Sequence, residues 1–357
     1  METKVLRADS REAIELASRL FSEGQLVGFP TETVYGLGAN ALDREAVLSI
    51  FAAKGRPADN PLIVHIWNQN QMEGLCRIPE GAQKLMDAFW PGPLTMLFYR
   101  TEKVPDEVTA GLPTVAVRMP SMDCTKKLLE CCGLPIAAPS ANRSGRPSPT
   151  TAAHVLEDMQ GRIPLILDGG PCQVGLESTV LDLTHGEPTI LRPGGITREM
   201  IADVLHRDVK LAGSILRPLR PDEKALSPGM RYKHYAPKGN VTLVEGAEAD
   251  VLRTMEALCL RDRADGKKSC VLCFTEHMEA LQACDPHDIG SAADDRQVAH
   301  RLFDTLRTLD QEGMETIYSE VVPPEGVGLA VMNRLGRAAA FRTVYADDPD
   351  STEEPLG

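Results

Sequence analysis

The sequence predicts an α/β protein with two domains, a mixed-sheet domain followed by a smaller parallel one. The length of 357 residues suits two domains, and 43% hydrophobic residues can form sizeable cores. In the first 206 residues short apolar runs alternate with helical patterns, and the strands outnumber the helices, which favours a mixed sheet. From residue 241 strand and helix alternate regularly, which is typical of a small Rossmann-like parallel sheet.

The front domain is predicted to begin with a helix over 10–23, with Asp9 and Glu12 as its capping box and Gly24 at its end. Apolar runs of strand length follow along this domain. They cover 26–29, 62–66, 94–99, 114–118, 136–138, 165–167, 178–183 and 189–191. Helical patterns lie between them over 43–53, 80–89, 122–132, 151–159 and 197–205.

Periodicity disappears over 211–240, a proline-punctuated stretch longer than the about 12–15 residues that ordinary loops reach. We therefore predict a first domain over 1–210, a linker over 211–240 and a second domain over 241–345. An acidic tail over 346–357 is expected to be disordered from Asp347 onward. In the second domain the predicted strands are 241–244, 269–274 and 316–319, and the predicted helices are 249–260, 292–309 and 329–341.

The net charge of −13 is unevenly distributed. Up to Asn240 there are 27 Lys and Arg against 28 Asp and Glu, and beyond it there are 11 against 23. The front domain can therefore contain a local basic pocket, whereas the second domain is a poor partner for polyanions. Aromatic residues make up only 4%, which argues against broad base-stacking surfaces. No apolar run approaches the ~18 residues of a membrane span and the start lacks a signal peptide, so a cytoplasmic location is expected.

Two motif-like patterns are weighed and set aside. Gly36–Ala41 fits G-x-G-x-x-A, but the expected helix cap is Asp43, after the motif, so the glycines do not open a helix as a dinucleotide site requires. Cys270 and Cys273 form a C-x-x-C inside an apolar run of strand length, where residues three apart point to opposite faces. No second pair completes a zinc site, so the nine cysteines are expected to be reduced thiols and no metal site is predicted.

Polar residues are dense in the loops that follow the front-domain strands, where α/β proteins build their sites. Lys54 and Arg56 on a tight loop suit a triphosphate, as a point charge and a two-pronged donor. Ser140 and Asn142 add neutral donors, and Arg118 closes an apolar strand, where a half-buried cation needs an anionic partner.

Each of these residues also has an ordinary structural interpretation, which the sequence leaves open. Lys54 and Arg56 could be solvated charges after a helix, and Arg118 could pair with an internal carboxylate. His65 could be a hydrogen-bonded core histidine, and Ser140 with Asn142 could serve only the turn.

In combination the motifs resemble the threonylcarbamoyl-AMP synthase family, the YrdC-like and Sua5 proteins. Over residues 5–240 they follow in the family's order as TETVYGLG, K-x-R-P-x-x-N-P-L-I-V-H, WPGPLT, R-M-P, S-x-N-x-S-G, ESTV and LRPG. The stretch Leu226–Pro237 resembles the linker of the two-domain Sua5 type. Over 241–345 the resemblance rests mainly on position and pattern. It implies a YrdC-like twisted mixed sheet followed by a Sua5 C-terminal domain.

The resemblance implies synthesis of L-threonylcarbamoyladenylate and pyrophosphate from L-threonine, bicarbonate or CO2, and ATP. A separate transferase would then use the product to modify adenosine 37 of tRNA. Lys54 and Arg56 would be the catalytic cations. The nucleotide site would consist of Lys54, Arg56, Asn60, Thr114, Ser140, Asn142, Ser148, Arg192 and Tyr235. Threonine would be held by Thr33, His65, Arg118, Ala138 (through its backbone) and Ser178.

Magnesium is expected to arrive with ATP, because Asp59 and Glu177 stand alone in their loops and form no carboxylate cluster. Carbamates lose CO2 readily in water, so we expect the linker over 227–237 to fold back as a lid. Two alternatives remain. A double-stranded RNA-binding module without catalysis conflicts with the charge balance of the front domain. A carbamoyltransferase of the hydrogenase-maturation type would need zinc-finger cysteines that this spacing excludes. No membrane partner and no strong direct nucleic-acid binding are expected.

Overall fold

Two β-sheets organise the chain, and each lies at the centre of a separate unit. The computed structural model describes residues 1–79, 81–217 and 235–353. The described part of the first unit comprises Met1–Ser144 and Ser148–Ile215. That of the second comprises Gly145–Pro147, 216–217 and 235–353. The three residues Gly145–Pro147 therefore belong to a different unit from the residues before and after them in the chain.

The first unit is built on a twisted mixed sheet, as the sequence predicts. Its described strands are β1 Lys4–Arg7, β2 Val27–Phe29, β3 Gly36–Asn40, β4 Ile63–His65, β5 Cys76–Arg77, β6 Leu94–Arg100, β7 Thr114–Arg118, β8 Ile136–Ala138, β9 Leu165–Asp168, β10 Thr179–Asp182, β11 Thr189–Arg192 and β12 Lys210–Leu211. Their order is β1-β9-β2-β3-β8-β4-β7-β6-β10-β11-β12, and β5 pairs with β6. The β4–β7 and β6–β10 pairs are parallel, whereas β6–β7 and β4–β8 are antiparallel.

The described α-helices of the first unit are α1 Arg11–Ser22, α2 Arg44–Lys54, α3 Ala82–Phe89, α4 Asp106–Thr109, α5 Asp123–Cys132, α6 Ala152–Met159 and α7 Arg198–Leu205. Four of these seven begin at a residue whose side chain caps them, namely α1, α2, α6 and α7. Asp43 caps α2, and Gly55 ends it with a φ of 67°. The predicted capping box of α1 is wrong, because Ser10 is the cap and Asp9 forms a salt bridge with Arg7 instead. The Ser10 hydroxyl accepts the Ala13 N–H, so the cap lies one residue later than predicted and the Asp9 carboxylate is left to the surface.

The glycines of the G-x-G-x-x-A pattern lie in strand β3, not in a turn before a helix. A Cβ at Gly38 would come within 2.8–2.9 Å of the side chains of Phe21, Phe29 and Ile136. The pattern therefore lets these core side chains pack tightly against the strand, and setting aside a dinucleotide site was correct. The same core includes the inward face of α1.

The second unit has the parallel sheet that the alternation predicts. Its described elements are β13 Asn240–Glu245, α8 Glu248–Ala264, β14 Ser269–Cys273, β15 Pro286–Asp288, α9 Asp295–Glu312, β16 Thr316–Glu320, α10 Gly328–Ala338, β17 Thr343–Tyr345 and β18 Asp348–Glu353. The strand order is β15-β14-β16-β13-β17-β18. The first five strands are parallel, and β18 runs antiparallel to β17.

The acidic tail and the linker, the two segments at the ends of this unit, are the subject of two further predictions. The disorder expected from Asp347 onward is wrong for Asp348–Glu353, because the backbone of these residues pairs with the edge strand β17 and needs no apolar side chains to do so. Most of the predicted linker and lid, residues 218–234, lies outside the described residues. Among the helices of the described ranges, none has the length and apolar character that crossing a membrane requires.

Candidate functional site

A row of side chains crosses the front sheet and joins residues from separate motifs. The strand register pairs His65 of β4 with Arg118 of β7, and Arg118 with Thr95 of β6. Thr95 pairs with Val180 of β10, which lies opposite Arg192 of β11. Paired residues on adjacent strands project to the same face. The sheet therefore brings together His65, Arg118 and Arg192, which the sequence places far apart.

Arg118 lies at the end of β7 with only 3% of its surface exposed. Its Nη1 donates to Thr33 Oγ1 at 2.8 Å and its Nε donates to the Gly92 carbonyl at 3.3 Å. Its Nη2 lies 2.7 Å from Glu32 Oε1, so the internal carboxylate that the sequence left open is present. However, this Nη2 and both Glu32 oxygens are buried without a directed hydrogen bond inside the described ranges. The ion pair therefore retains hydrogen-bonding capacity that a ligand can use.

Thr33 is held in place by the loop between β2 and β3. Thr31 Oγ1 accepts the backbone N–H groups of Thr33 and Val34 at 3.1 and 3.2 Å. The two threonine hydroxyl oxygens lie 2.8 Å apart. This turn, formed by a threonine hydroxyl and the backbone, fixes the Thr33 hydroxyl beside Arg118.

His65 is a buried, neutral histidine. Burial, with the Arg118 charge as the second cause, lowers the pKa of His65 to about 3. Its Nδ1 lies 3.1 Å from the Ile63 carbonyl, which requires Nδ1 to carry the proton. The ordinary interpretation as a hydrogen-bonded core histidine is therefore correct, and its position beside Arg118 also suits a ligand contact.

Ser178 precedes β10 and contacts polar side chains on both strands that flank it, β6 and β11. Its hydroxyl oxygen lies 2.8 Å from Thr95 Oγ1 and 3.2 Å from Arg192 Nη2. Arg192 also donates through Nε to the Ser178 carbonyl at 3.1 Å. Ala138, the remaining candidate from the threonine set, is buried at the end of β8 opposite Ile63.

Lys54 is the last residue of α2 and is buried, with 4% exposure. Its Nζ donates to the carbonyl oxygens of Ser140 and Asn142 at 2.6 Å each. The Ser144 N–H in turn donates to the Lys54 carbonyl at 3.1 Å. Interpreting Lys54 as a solvated charge is therefore wrong, because the helix end delivers its ammonium to the loop that carries Ser140 and Asn142.

The loop after β8 is ordered by its own side chains as well. Ser140 Oγ donates to Asn142 Oδ1, and Asn142 Nδ2 donates to the Arg143 carbonyl at 2.8 Å. Further along, the fully buried Ser148 donates its hydroxyl to Glu177 Oε1. Ser140 and Asn142 therefore do take part in ordering this turn, and their role as nucleotide contacts stays a prediction.

Three further nucleotide candidates lie in different surroundings. Asn60 is completely buried, and neither side-chain amide atom has a hydrogen-bond partner inside the described ranges, which is unusual for a buried amide. Arg56 is half-buried, with its guanidinium carbon 5.3 Å from the centre of the Phe51 ring. Thr114 begins β7 and lies roughly 13 Å from Arg118 along the strand, so the row does not include it.

Tyr235 belongs to the second unit. It is 4% exposed, its φ is 65°, and its ring centre lies 5.2 Å from that of Phe303 on α9. The guanidinium carbon of Arg334 lies 5.8 Å from the Tyr235 ring.

Backbone hydrogen bonds join the loops of the front unit. Tyr35 donates its N–H to the Pro149 carbonyl and accepts the Ala141 N–H, both at 2.9 Å. The Glu32 carbonyl accepts the Val174 N–H at 2.8 Å. The loops after β2, β8 and β9 therefore form one connected surface.

Sequence reasoning missed three buried polar residues of this site, namely Glu32, Thr95 and Glu177 as the partner of Ser148. The signal for Glu32 was available, because a buried strand-end arginine needs a carboxylate and Glu32 lies inside the TETVYGLG motif. Thr95 and Glu177 depend on strand register and loop contacts, which no local pattern encodes.

The cysteines and acidic residues add no metal site to the described part of the chain. No group of three or more His, Cys, Asp or Glu side chains is placed there to hold a metal ion. All nine cysteines are free thiols. Burial raises the pKa of Cys273 to about 12 and also raises that of Cys270, so the C-x-x-C pair is buried and inert as expected.

Comparisons with known proteins agree with this architecture. The Sua5/YciO/YrdC family model, described as "Telomere recombination", matches residues 19–194. A second model, described as "Threonylcarbamoyl-AMP synthase, C-terminal domain", matches residues 196–340. The threonylcarbamoyl-AMP synthase of Pyrococcus abyssi is 47% identical over 332 residues, which cover 93% of this chain and 95% of that protein.

The threonylcarbamoyl-AMP synthase of Bacillus subtilis is 45% identical over 336 residues, covering 93% of this chain and 94% of its own. The crystal structure of Pyrococcus abyssi Sua5 complexed with L-threonine superposes with a TM-score of 0.90 at 45% identity, covering 97% of this chain and 99% of that one. The similarity therefore extends through both units.

Proposed function

The chain belongs to the threonylcarbamoyl-AMP synthase family, in its two-domain Sua5 form, and on this premise we propose that it is an L-threonylcarbamoyladenylate synthase. It condenses L-threonine, bicarbonate or CO2, and ATP into threonylcarbamoyl-AMP and pyrophosphate, and is thus a nucleotidyltransferase. A tRNA-modifying transferase then uses the product at adenosine 37. Since ATP and tRNA are cytosolic reactants, we expect the enzyme to act in the cytoplasm.

The observation that supports the proposal best is the buried Arg118–Glu32 pair with unused hydrogen-bonding capacity. An amino acid carries a carboxylate and an ammonium group, and this pair presents one charge of each sign. The threonine carboxylate is expected at Arg118 and the ammonium at Glu32. The related Pyrococcus abyssi Sua5 is known with L-threonine bound, which supports an amino-acid site in this family.

Hydroxyl groups around this pair account for a preference for threonine. Thr33 lies against Arg118, Thr95 lies in the adjacent strand β6, and Ser178 directly precedes β10 beside Thr95. Together with His65 and the Ala138 backbone, these residues form the proposed threonine site. A site that hydrogen-bonds the substrate hydroxyl disfavours valine, because valine would leave these buried polar groups without partners.

ATP is proposed to bind along the loop that Lys54 organises. Arg56, Asn60, Ser140, Asn142 and Ser148 would contact it, together with Thr114, Arg192 and Tyr235. Magnesium would enter as part of the Mg–ATP substrate, bound to the phosphates. The unsatisfied amide of Asn60 has the donor and acceptor that a nucleotide can complete.

The reaction requires that the carbamate and ATP be held in line and that their negative charges be screened. The threonine ammonium first loses a proton, and the free amine then adds to CO2 with loss of a second proton, or to bicarbonate with loss of water. An oxygen of the resulting carbamate attacks the α-phosphate of ATP as pyrophosphate leaves. Both reactants are anions, so Lys54 and Arg56 lower the barrier by screening the phosphate charge and holding the two in line. This reaction needs no nucleophile from the protein.

The test is a pyrophosphate-release assay with ATP and bicarbonate, comparing threonine with serine and valine, and identifying the adenylate by mass spectrometry. We expect the highest kcat/KM with threonine and a loss of roughly 100-fold or more with valine. Equal rates with all three amino acids would contradict the proposed substrate. Tight binding of double-stranded RNA without pyrophosphate release would favour the RNA-binding alternative.

A further inference from the structure

Thr125 of helix α5 fastens the start of the loop that carries Thr33. Its Oγ1 donates to the Pro30 carbonyl at 2.5 Å, and the residue is only 1% exposed. Helix α5 is itself fixed in the core of the first unit, because Leu128 and Leu129 pack there with residues of α1 and β2. The threonine hydroxyl therefore joins a firmly packed helix to the residue directly before the loop.

Pro30 is also approached closely by Gly169, which follows β9. A Cβ at Gly169 would come within 2.7 Å of Pro30 Cγ and 3.1 Å of Cys124 Sγ on α5, so this glycine lets the loop and the helix pack together. Pro30 is buried, and a buried carbonyl oxygen is costly to leave without a donor. Thr125 supplies that donor, so the hydrogen bond is a specific part of the loop structure.

A short stretch of chain separates this anchor from the proposed threonine contacts. The far end of the stretch is held independently, because Tyr35 Oη donates to the Gly170 carbonyl at 2.7 Å. Each residue has only two soft dihedral angles, so a displacement of the Pro30 carbonyl would be absorbed within residues 31–34. These residues include Thr33, whose hydroxyl accepts from Arg118.

We propose that Thr125 is a positioning residue for threonine binding. Through the Pro30 carbonyl it fixes the loop geometry that places the Thr33 hydroxyl and the Glu32 carboxylate in the proposed threonine site. This inference rests on the proposed function, because it takes these two groups as contacts of the bound amino acid. The Glu32 carbonyl also accepts the Val174 N–H at 2.8 Å, so loss of the Thr125 hydroxyl is expected to loosen the loop without unfolding it.

The proposed ATP contacts are held by other interactions. Lys54 Nζ donates to the carbonyls of Ser140 and Asn142 in the loop after β8. The backbone of Tyr35 joins that loop to the loop after β2, and Tyr35 has its own anchor. Loss of the Thr125 hydroxyl is therefore expected to weaken threonine binding and to spare ATP binding.

The experiment compares Thr125→Val, Thr125→Ser and Thr109→Val in the full-length protein, by calorimetry with threonine and by steady-state pyrophosphate release. Valine keeps the size and branching of threonine but has no hydroxyl, so the Kd and the KM for threonine should rise about fivefold to tenfold. The KM for ATP and the kcat at saturating threonine should stay within about twofold, because ground-state and transition-state binding weaken equally. Thr125→Ser keeps the donor and should restore threonine binding.

Thr109→Val is the matched control. Thr109 is equally buried, with 1% exposure, and its hydroxyl donates to the Asp106 carbonyl at 3.4 Å within α4. Both KM values should be unchanged in this variant. Hydrogen exchange gives a local readout in Thr125→Val, where the amides of Thr33 and Val34 should exchange faster while those of α1 and α2 keep their wild-type rates.

Unchanged threonine binding in Thr125→Val, an equal rise in both KM values, faster exchange throughout the first unit, or a serine variant as weak as the valine variant would overturn the proposal. A wild-type protein that neither binds threonine nor releases pyrophosphate would refute the proposed function itself. An active wild type whose threonine affinity is insensitive to Thr125→Val would refute only the positioning role.

Discussion

Each unit buries a glutamate near the end of a strand, and the two differ in how their oxygens are used. Glu320 at the end of β16 accepts the Phe274 N–H at 2.7 Å through one oxygen and lies 2.8 Å from His277 Nδ1 through the other. Glu32 after β2 has the Arg118 charge at 2.7 Å but no directed hydrogen bond on either oxygen within the described ranges. A carboxylate that the protein satisfies serves the fold, whereas one left unsatisfied indicates a ligand.

The same contrast extends to the surroundings of the two glutamates. Burial raises the pKa of Glu320, and the Phe274 N–H and His277 oppose that effect, so the second unit supplies this carboxylate with its own partners. In the front unit Glu32, Arg118 and Asn60 each have a buried side-chain atom without a hydrogen bond inside the described ranges, and all three lie in loops or at strand ends. Such atoms also occur in the second unit, for example at Ser269 and Thr316, so it is the pair of opposite charges at Glu32 and Arg118 that favours the front unit for binding an amino acid.

The largest loss of activity is expected on replacing Lys54, and a lysine of the second unit provides the comparison. Lys54→Met removes the ammonium that holds Ser140 and Asn142, and pyrophosphate release should fall roughly 10³-fold through lost phosphate screening and loop order. The variant leaves the Ser140 and Asn142 carbonyls without their buried donor, which costs about 1–3 kcal/mol for each unsatisfied group. The melting temperature should therefore also fall by several degrees, and activity is compared at a temperature where both proteins are folded.

Lys267→Met in the second unit is the matched control, because Lys267 forms a half-exposed pair with Asp262 at 2.9 Å. Its activity should equal that of the wild type, since the lysine contacts no proposed site residue. If the two variants lost activity equally, the functional distinction between the units would be wrong.

The next effect compares the two glutamates directly. Glu32→Gln removes the negative charge proposed for the threonine ammonium, so threonine affinity should fall roughly tenfold to 100-fold by calorimetry. The variant should also lose most of the rise in melting temperature that threonine produces, because stabilisation by a ligand follows its affinity.

Glu320→Gln should behave in the opposite way. It weakens contacts within the second unit, so the free energy of unfolding should fall by about 1 kcal/mol. The stabilisation by threonine should remain complete. A normal threonine response in Glu32→Gln would show that the unsatisfied carboxylate does not bind the amino acid.

The sequence predicted strands and helices well where the hydrophobic pattern of the segment alone determines the element. Strand β7, Thr114–Arg118, and strand β8, Ile136–Ala138, have the predicted bounds because they are uninterrupted buried runs. Strand β3 was missed because its glycines resemble a turn signal, and only the approach of Phe21 and Phe29 explains them. Strands β1 and β12 are short and exposed, so they lack an apolar pattern.

The site residues were found through motif resemblance, while their arrangement required the fold. No spacing in the sequence shows that His65 and Arg118 are register partners, because strand pairing is decided by the whole sheet. The burial of Lys54 was equally hidden, since a lysine at a helix C-terminus is normally solvated. Tertiary packing reversed that local expectation.

The smallest expected effect is on the free energy of unfolding in acid, and it depends on His65 of the front unit. Because burial and Arg118 lower the pKa of His65 to about 3 from 6.5, the unfolded chain binds this proton more readily than the folded protein does. Stability from this group is therefore complete above pH 6.5 and is lost as the pH falls toward 3. At pH 5 the loss is about 2 kcal/mol relative to neutral pH.

His65→Asn keeps a donor for the Ile63 carbonyl and does not titrate, so the unfolding free energy of this variant should fall less between pH 7 and pH 5 than that of the wild type. Chemical denaturation at both pH values measures the difference. His206→Asn is the control, because His206 is exposed after α7 in a left-handed conformation that asparagine tolerates, and its pH dependence should match the wild type. Identical acid sensitivity in wild type and His65→Asn would mean that the strand row admits a protonated histidine beside Arg118. The conclusion that burial and the Arg118 charge keep His65 neutral in the folded protein would then be wrong.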